Sequence, residues 1–172
     1  KLAGAALVAS HDLAPAQVTY AEDTIDFSIN RRRRDAGGMM RMWPNPAGLV
    51  DRRVRVLRFD TAEAQPAAVL FHAVCHANAF AAPNLAISAD FPGVAQDFVA
   101  ATFTGCTPMF VQGCTGDIRP NLPSEEGFRS ASEADLRWCG YSLGAAAVRA
   151  AARAGVAEHR AAELRQVITQ TV

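Results

Sequence analysis

No run of apolar residues in this chain approaches the roughly 20 needed to cross a bilayer as a helix, so no transmembrane segment is expected. The opening Lys1-Leu-Ala-Gly-Ala-Ala-Leu-Val8 resembles a short leader but lacks the apolar core of a signal peptide. It reads better as a helix already under way. An excess of one charge is missing too. Lys plus Arg and Asp plus Glu both number 17, which removes the bulk electrostatic argument for a nucleic-acid partner. The one basic run, Arg31 to Arg34, has no interleaved aromatics of the kind that stack on bases, and it reads as a solvated loop. No Cys-x-x-Cys pair occurs among Cys75, Cys106, Cys114 and Cys139, which argues against a zinc ribbon. Reduced, mostly buried thiols are the expectation, because cysteine is among the most buried residue types. There is no internal repeat. What remains is a 172-residue chain, 50% hydrophobic, sufficient for one core and too apolar for a disordered linker.

The chain is organised around the stretch from Pro66 to Leu122. Ala67–Val74 and Met109–Gln112 read as buried strands: short, rich in Val, Phe and Leu, and followed at once by turn-forming residues. Pro92 to Thr102 between them reads as a helix, with Asp90 as candidate N-cap and Pro92 in the first turn. Strand, helix, strand at this length predicts a βαβ crossover joining parallel neighbours in a covered sheet. The fold class expected is therefore α/β, a layered mixed sheet with a βαβ crossover. Ligands of such sheets collect beyond the C-terminal strand ends. Cys75-His-Ala-Asn78 and Gly113–Asn121 would both lie there, and Cys75 and Cys114 could approach each other, though spacing alone makes no disulfide.

Elsewhere, Leu2 to Leu13 is Ala-rich and helical, stopping before Pro15. Gln17–Tyr20 and Thr24–Ile29 suggest strands, then a loop carries Arg31–Arg34, Gly37-Gly38 and Pro44-Asn-Pro46. Arg53–Phe59 alternates Arg with Val, Leu and Phe, as a half-buried strand does. Thr61–Gln65 is a turn. Ser132 or Ser130 caps a long helix that reaches about Ala154 and ends at Gly155. Gly140 and Gly144, one turn apart on it, predict close contact with a neighbouring element. Leu164–Val172 reads as a last strand. The chain thus opens inside a helix and stops inside a strand, the pattern expected of a single-domain fragment, residues 1–172, of a larger domain.

Five segments in order carry a resemblance. They are Ser28-Ile-Asn-Arg31, Asp51 with Val54–Phe59, Val69–Ala77, Ser88-Ala-Asp-Phe-Pro-Gly93 and Gln112–Asn121. The series resembles the N-terminal catalytic domain of the neutral/alkaline (non-lysosomal) ceramidase family, over roughly Ala14 to Ala150. The resemblance implies a zinc-dependent amidase that splits an N-acyl bond, acting on a small-molecule or lipid-like amide. It implies that His76 matches the family's second zinc histidine and Asn30-Arg31 its Asn-Arg pair. Gly116-Asp-Ile-Arg-Pro-Asn121 matches its Gly-Asp-x-Ser-Pro-Asn loop. The catalytic set carried over is Arg31, Asp117 and Arg119, with Asn30, Gly116 and Asn121 binding substrate. Arg119 stands where the family has its catalytic Ser, which implies a substrate other than ceramide itself. The family's first zinc histidine belongs to a His-x-His motif upstream of this chain, and His11 does not replace it. A Glu and a Tyr ligand lie downstream, so His76 is the one ligand present, and this fragment alone is expected to be inactive and to bind zinc weakly or not at all.

Elementary chemistry leaves alternatives at several positions. His76 could ligate a metal through one ring nitrogen with the other held by an acceptor, or be a hydrogen-bonded, partly buried histidine. His72, inside the strand, should face away from the odd-numbered core positions. The Gly113–Asn121 loop could aim backbone N–H groups at an oxyanion, or be a plain turn in which Asp117 bonds its own backbone. Arg119 cannot be a nucleophile, since guanidinium stays protonated. It could clamp a carboxylate or phosphate bidentately, or pair with Asp117 or Asp90. A cysteine-phosphatase loop fails by one residue, because four rather than five separate Cys114 from Arg119. The remaining alternative to a hydrolase is a non-catalytic, anion-binding homologue that keeps the fold.

Overall fold

A computed structural model describes residues 2–80 and 84–154. The elements in chain order are α1 (Leu2–Ser10), β1 (Gln17–Thr24), β2 (Ser28–Arg34), β3 (Met40–Asn45), β4 (Arg53–Asp60) and β5 (Pro66–Ala73). They continue with α2 (Asp90–Thr102), β6 (Thr107–Gln112), β7 (Ile118–Pro120), β8 (Pro123–Ser124), β9 (Gly127–Phe128) and α3 (Glu133–Ala154). The predicted strand at 164–172 lies outside the described residues. The fold is mixed α/β, as expected.

A four-stranded sheet runs β1-β4-β5-β6. Its β5 and β6 are parallel neighbours, Val69 opposite Pro108 and Phe71 opposite Phe110, joined through α2. Alternation decides the faces. Val54, Val56, Val69, Phe71 and Ala73 are fully buried beneath α2 and α3, while Arg55 and His72, directly opposite each other, lie half-buried on the other face. Edge-to-face contacts lock the core: the Phe27 and Phe91 rings sit 5.3 Å apart, and those of Phe71 and Phe110 sit tilted at 5.6 Å.

The start of α3 follows its sequence signal. The Ser132 hydroxyl accepts from the Asp135 N–H at 3.1 Å, while the Asp135 carboxylate accepts from the Ser132 N–H at 2.8 Å. This is a reciprocal capping box. The start of α2 departs from expectation. Asp90 is the first helical residue rather than the cap, with φ 53°. Its carboxylate accepts from the N–H groups of Phe91 (2.8 Å) and Phe80 (3.3 Å), tying the segment after β5 to the helix.

A second sheet, β3-β2-β7, corrects the loop expected at 31–46. Arg31–Arg34 belongs to β2, and β3 forms despite Pro44. Pro44 is accommodated because β3 is an edge strand. It also falls at a bulge, where Trp43 and Pro44 stand opposite Arg31 alone.

Gly140 and Gly144 make the close contact their spacing predicts. A methyl group at Gly140 would come within 2.4 Å of Val94 Cβ and 3.0 Å of the Phe91 carbonyl, both on α2. Gly140→Ala gains about 1 kcal/mol of helix propensity but overpacks this seam, at a cost of about 1–3 kcal/mol. Because a backbone atom is among the obstacles, we expect a net loss of about 1–2 kcal/mol. It should be read as a lower urea midpoint at unchanged m-value. Gly116→Ala, which meets nothing within 4 Å, should leave the midpoint at the parent value.

Candidate active site

Only three residues long, β7 is nonetheless gripped from both sides. On one side it runs antiparallel to β2, with Ile29 opposite Arg119 and Asn30 opposite Ile118. The Arg31 N–H continues that ladder, donating to the Asp117 carbonyl at 2.7 Å. On the other side the His76 N–H, just past β5, donates to the Ile118 carbonyl at 3.1 Å. At its far end the Asn121 N–H donates to the Phe27 carbonyl at 2.7 Å. Residues up to 94 positions apart in sequence, Phe27 and Asn121, therefore meet around one short strand.

The side chains follow from that grip. Asn30, 6% exposed, donates from Nδ2 to Asp117 Oδ2 (2.8 Å) and to the Leu49 carbonyl (3.2 Å), and its Oδ1 accepts from the Arg32 N–H (2.9 Å). Asn30 is thus an anchor for Asp117. Arg31 donates from Nη2 to the Gly116 carbonyl at 3.0 Å, while its Nε is buried without a partner. Asn121 is exposed and contributes through its backbone. Gly113 is closely packed: a Cβ there would lie 2.4 Å from His72 Nε2, so the His72 ring would have to move. Gly116 is not: nothing approaches its missing Cβ and its backbone is not left-handed.

Arg119 pairs with neither Asp117 nor Asp90. Asp117 is engaged by Asn30 and Asp90 by two backbone amides. The guanidinium of Arg119, 7% exposed, lies 4.4 Å over the Phe128 ring, with Nη1 4.0 Å from Met42 Sδ and Nε buried and unpartnered. Burial pulls it below the ordinary arginine value, and the charge of Arg31 adds to that.

His76 is half-buried, and its Nδ1 is sealed from solvent with no hydrogen-bond partner. A buried, orphaned ring nitrogen suits a ligand position. Among the described residues, however, no three His, Cys, Asp or Glu side chains lie together as a metal would need. The donors present therefore fit one zinc position and no more. The four thiols are free; Cys114 is exposed and the others are buried. Burial pushes Cys75 well above the usual thiol value and Cys139 up to about 12, so neither is a nucleophile at neutral pH.

Sequence reasoning passed over several neighbours. Ser28 Oγ and Asn78 Oδ1 are buried without partners beside β7 and after His76; their only signal was membership of the motifs around Asn30 and His76. Phe128 and Met42, which flank Arg119, left no signal at all. A cavity of about 350 Å³ opens beside Asp117, lined also by Ile118, Asp51, Arg55, His72 and Cys114. A larger recess of about 520 Å³ lies on the β2–β3 hairpin among Arg33, Arg34, Arg41 and Trp43, and holds none of the catalytic, substrate-binding or metal residues expected from sequence.

Comparison with solved structures shows a ceramidase-like fold. The chain is similar to neutral ceramidase from Pseudomonas aeruginosa, at 21% identity and a TM-score of 0.63, over 82% of this chain and 23% of that one. It is similar to a ceramidase complexed with C2 at 21% identity and a TM-score of 0.64, with the same coverage. The chain thus spans about a quarter of the length of those proteins. No family model matches, and no curated protein matches.

The cavity generates a pH expectation. Burial lowers the His72 pKa, and Arg55, whose Nη1 is 3.4 Å from Nδ1, adds to the shift. The unfolded chain therefore holds the proton more tightly, and stability should fall as pH drops through about 6.5. The Asp51 pKa is lowered too, which for a carboxyl group favours the charged form. Hydrogen-bonded to Arg53 and Arg55, its carboxyl is held well below the usual range. The stability it adds is present above about pH 4 and lost below. Urea midpoints between pH 3 and 8 should show both limbs. His72→Gln should flatten the upper one and Asp51→Asn the lower one.

Proposed function

We propose that the chain forms part of a zinc-dependent amide hydrolase that splits an N-acyl bond. The proposed substrate is a small or lipid-like amide other than ceramide itself. The observation that carries this reading is the orphaned Nδ1 of His76, on a segment bonded to the strand that holds Asn30, Arg31, Asp117 and Arg119 together. The ceramidase-like fold supports it. In the complete protein His76 would be one zinc ligand, and zinc would lower the pKa of a bound water to about 7 and polarise the scissile carbonyl.

The chain's own residues supply position. Asn30 fixes Asp117 through the 2.8 Å bond, so the Gly116–Asp117 turn is rigid where Arg31 crosses it. Arg31 offers a fixed positive charge beside the carbonyl, suited to charge developing on its oxygen. Arg119 cannot attack, so the attacking group in this reading is water rather than a side chain. The alternative, an anion-binding homologue without turnover, is favoured by the unpaired Arg119 and uses the same site. Turnover separates the two. In the complete protein His76→Ala should abolish metal-dependent hydrolysis while leaving the circular dichroism spectrum intact, as steady-state kinetics would record. A variant that kept the parent rate would remove the hydrolase reading.

A further inference from the structure

The described residues leave six buried side-chain nitrogen or oxygen atoms without a hydrogen-bond partner, and only Thr19 Oγ1 lies away from β7. The other five are Ser28 Oγ, Arg31 Nε, His76 Nδ1, Asn78 Oδ1 and Arg119 Nε. They belong to β2, to β7, or to the segment bonded to β7. Buried polar atoms are ordinarily satisfied, so a concentration of orphans marks a place where the partner is a ligand. Two of them belong to arginines. Ile29 stands opposite Arg119 in the register, which puts Arg31, two residues on, along the same face. Neither guanidinium meets a carboxylate among the described residues; Arg32, Arg33 and Arg34 meet none either but are exposed, whereas Arg41, Arg53, Arg55, Arg58, Arg129, Arg137, Arg149 and Arg153 all do.

Burying a cation without a counter-charge is costly, and arginine does not escape the cost by losing its proton. The Phe128 ring offsets part of it through one face of the guanidinium. The edge of the fork, which would ordinarily grip two oxygens in parallel, finds only the Met42 sulfur. We infer that Arg119, with Arg31 beside it, binds a carboxylate or phosphate oxyanion carried by the N-acyl ligand of this site. The inference rests on the site proposed above but not on turnover. It gives the replacement of a hydroxyl by Arg119 a consequence: specificity for an acidic amide.

Thermal unfolding of the chain, at ionic strength matched with potassium chloride, tests this. The probes are N-acetylglycine, N-acetylethanolamine phosphate and neutral N-acetylglycinamide. Saturating amounts of at least one acidic probe should raise the midpoint by about 5 °C or more, and the neutral amide should not. Which acidic probe acts distinguishes a carboxylate from a phosphate. Arg119→Met removes the charge and keeps most of the volume. Without ligand it should unfold at or above the parent midpoint, because an unpaired buried charge is gone, yet its affinity for the acidic probe should fall about 10- to 100-fold. Arg31→Met should weaken binding in the same direction and serves if Arg119→Met does not fold. Equal responses to acidic and neutral probes, or none, would overturn the inference, as would acidic binding that survives both substitutions. A midpoint lowered by Arg119→Met with no acidic response in the parent would make Arg119 structural. Because no step requires hydrolysis, failure here leaves the His76 experiment standing, and failure there leaves this one standing.

Discussion

A ladder with β2 and a single backbone hydrogen bond from the His76 N–H to the Ile118 carbonyl hold β7 in place. Ile118, Arg119 and Pro120 lie between β2 and the His76 segment, and without that double grip the site residues would share no neighbourhood. A three-residue strand has too few bonds of its own to persist, so β7 exists because both flanks exist. Asn30 adds a side-chain clamp on Asp117 from the β2 side. Asp90 adds another from the helix side, holding the Phe80 amide and so fixing the course of the chain after His76.

The layered core makes the flanks possible. The β5 strand delivers His76 to its place because Val69, Phe71 and Ala73 are sealed under the helices. The helices lie close because glycine, not a larger residue, faces Val94 and Phe98. Packing in the α2–α3 seam thus bears on where His76 sits, through β5 and the Asp90 tether. Dense packing carries such a displacement rather than absorbing it.

Stability and function pull apart around β7. Elsewhere among the described residues, Thr19 Oγ1 apart, buried polar atoms find partners: Asp23 takes both Arg149 and Arg153, and Arg129 pairs with Asp135 at the start of α3. Beside β7 they stay open, with an unpaired buried arginine, a half-satisfied second one and an orphaned imidazole nitrogen. A chain selected for stability alone would have an apolar residue at position 119, as buried ion pairs are often replaced at no cost. The binding role proposed for Arg119 would account for a charge at that position.

Much of the fold was legible from local pattern. The strand–helix–strand unit, the parallel pairing of β5 with β6, the cap at Ser132 and the close approach at Gly140 and Gly144 all follow from periodicity and residue chemistry, but the burial expected of Met109–Gln112 does not, because β6 is an edge strand with Met109 and Val111 exposed. His72 facing away from the core follows from simple alternation. Local pattern failed where pairing partners decide the outcome. The Arg31–Arg34 run and Pro44-Asn45 carry loop signals, yet they form strands because β2 lies between β7 and β3 and an edge bulge tolerates proline. The candidate site residues could be named from sequence, since motif order survives in a linear chain. Their physical state could not: that Asn30 clamps Asp117, and that Arg119 is buried under Phe128 without a carboxylate, depends on contacts between distant segments. Only the closed tertiary fold brings those segments within hydrogen-bonding distance, and burial, which sets the energetic weight of each charge, exists only once it has closed.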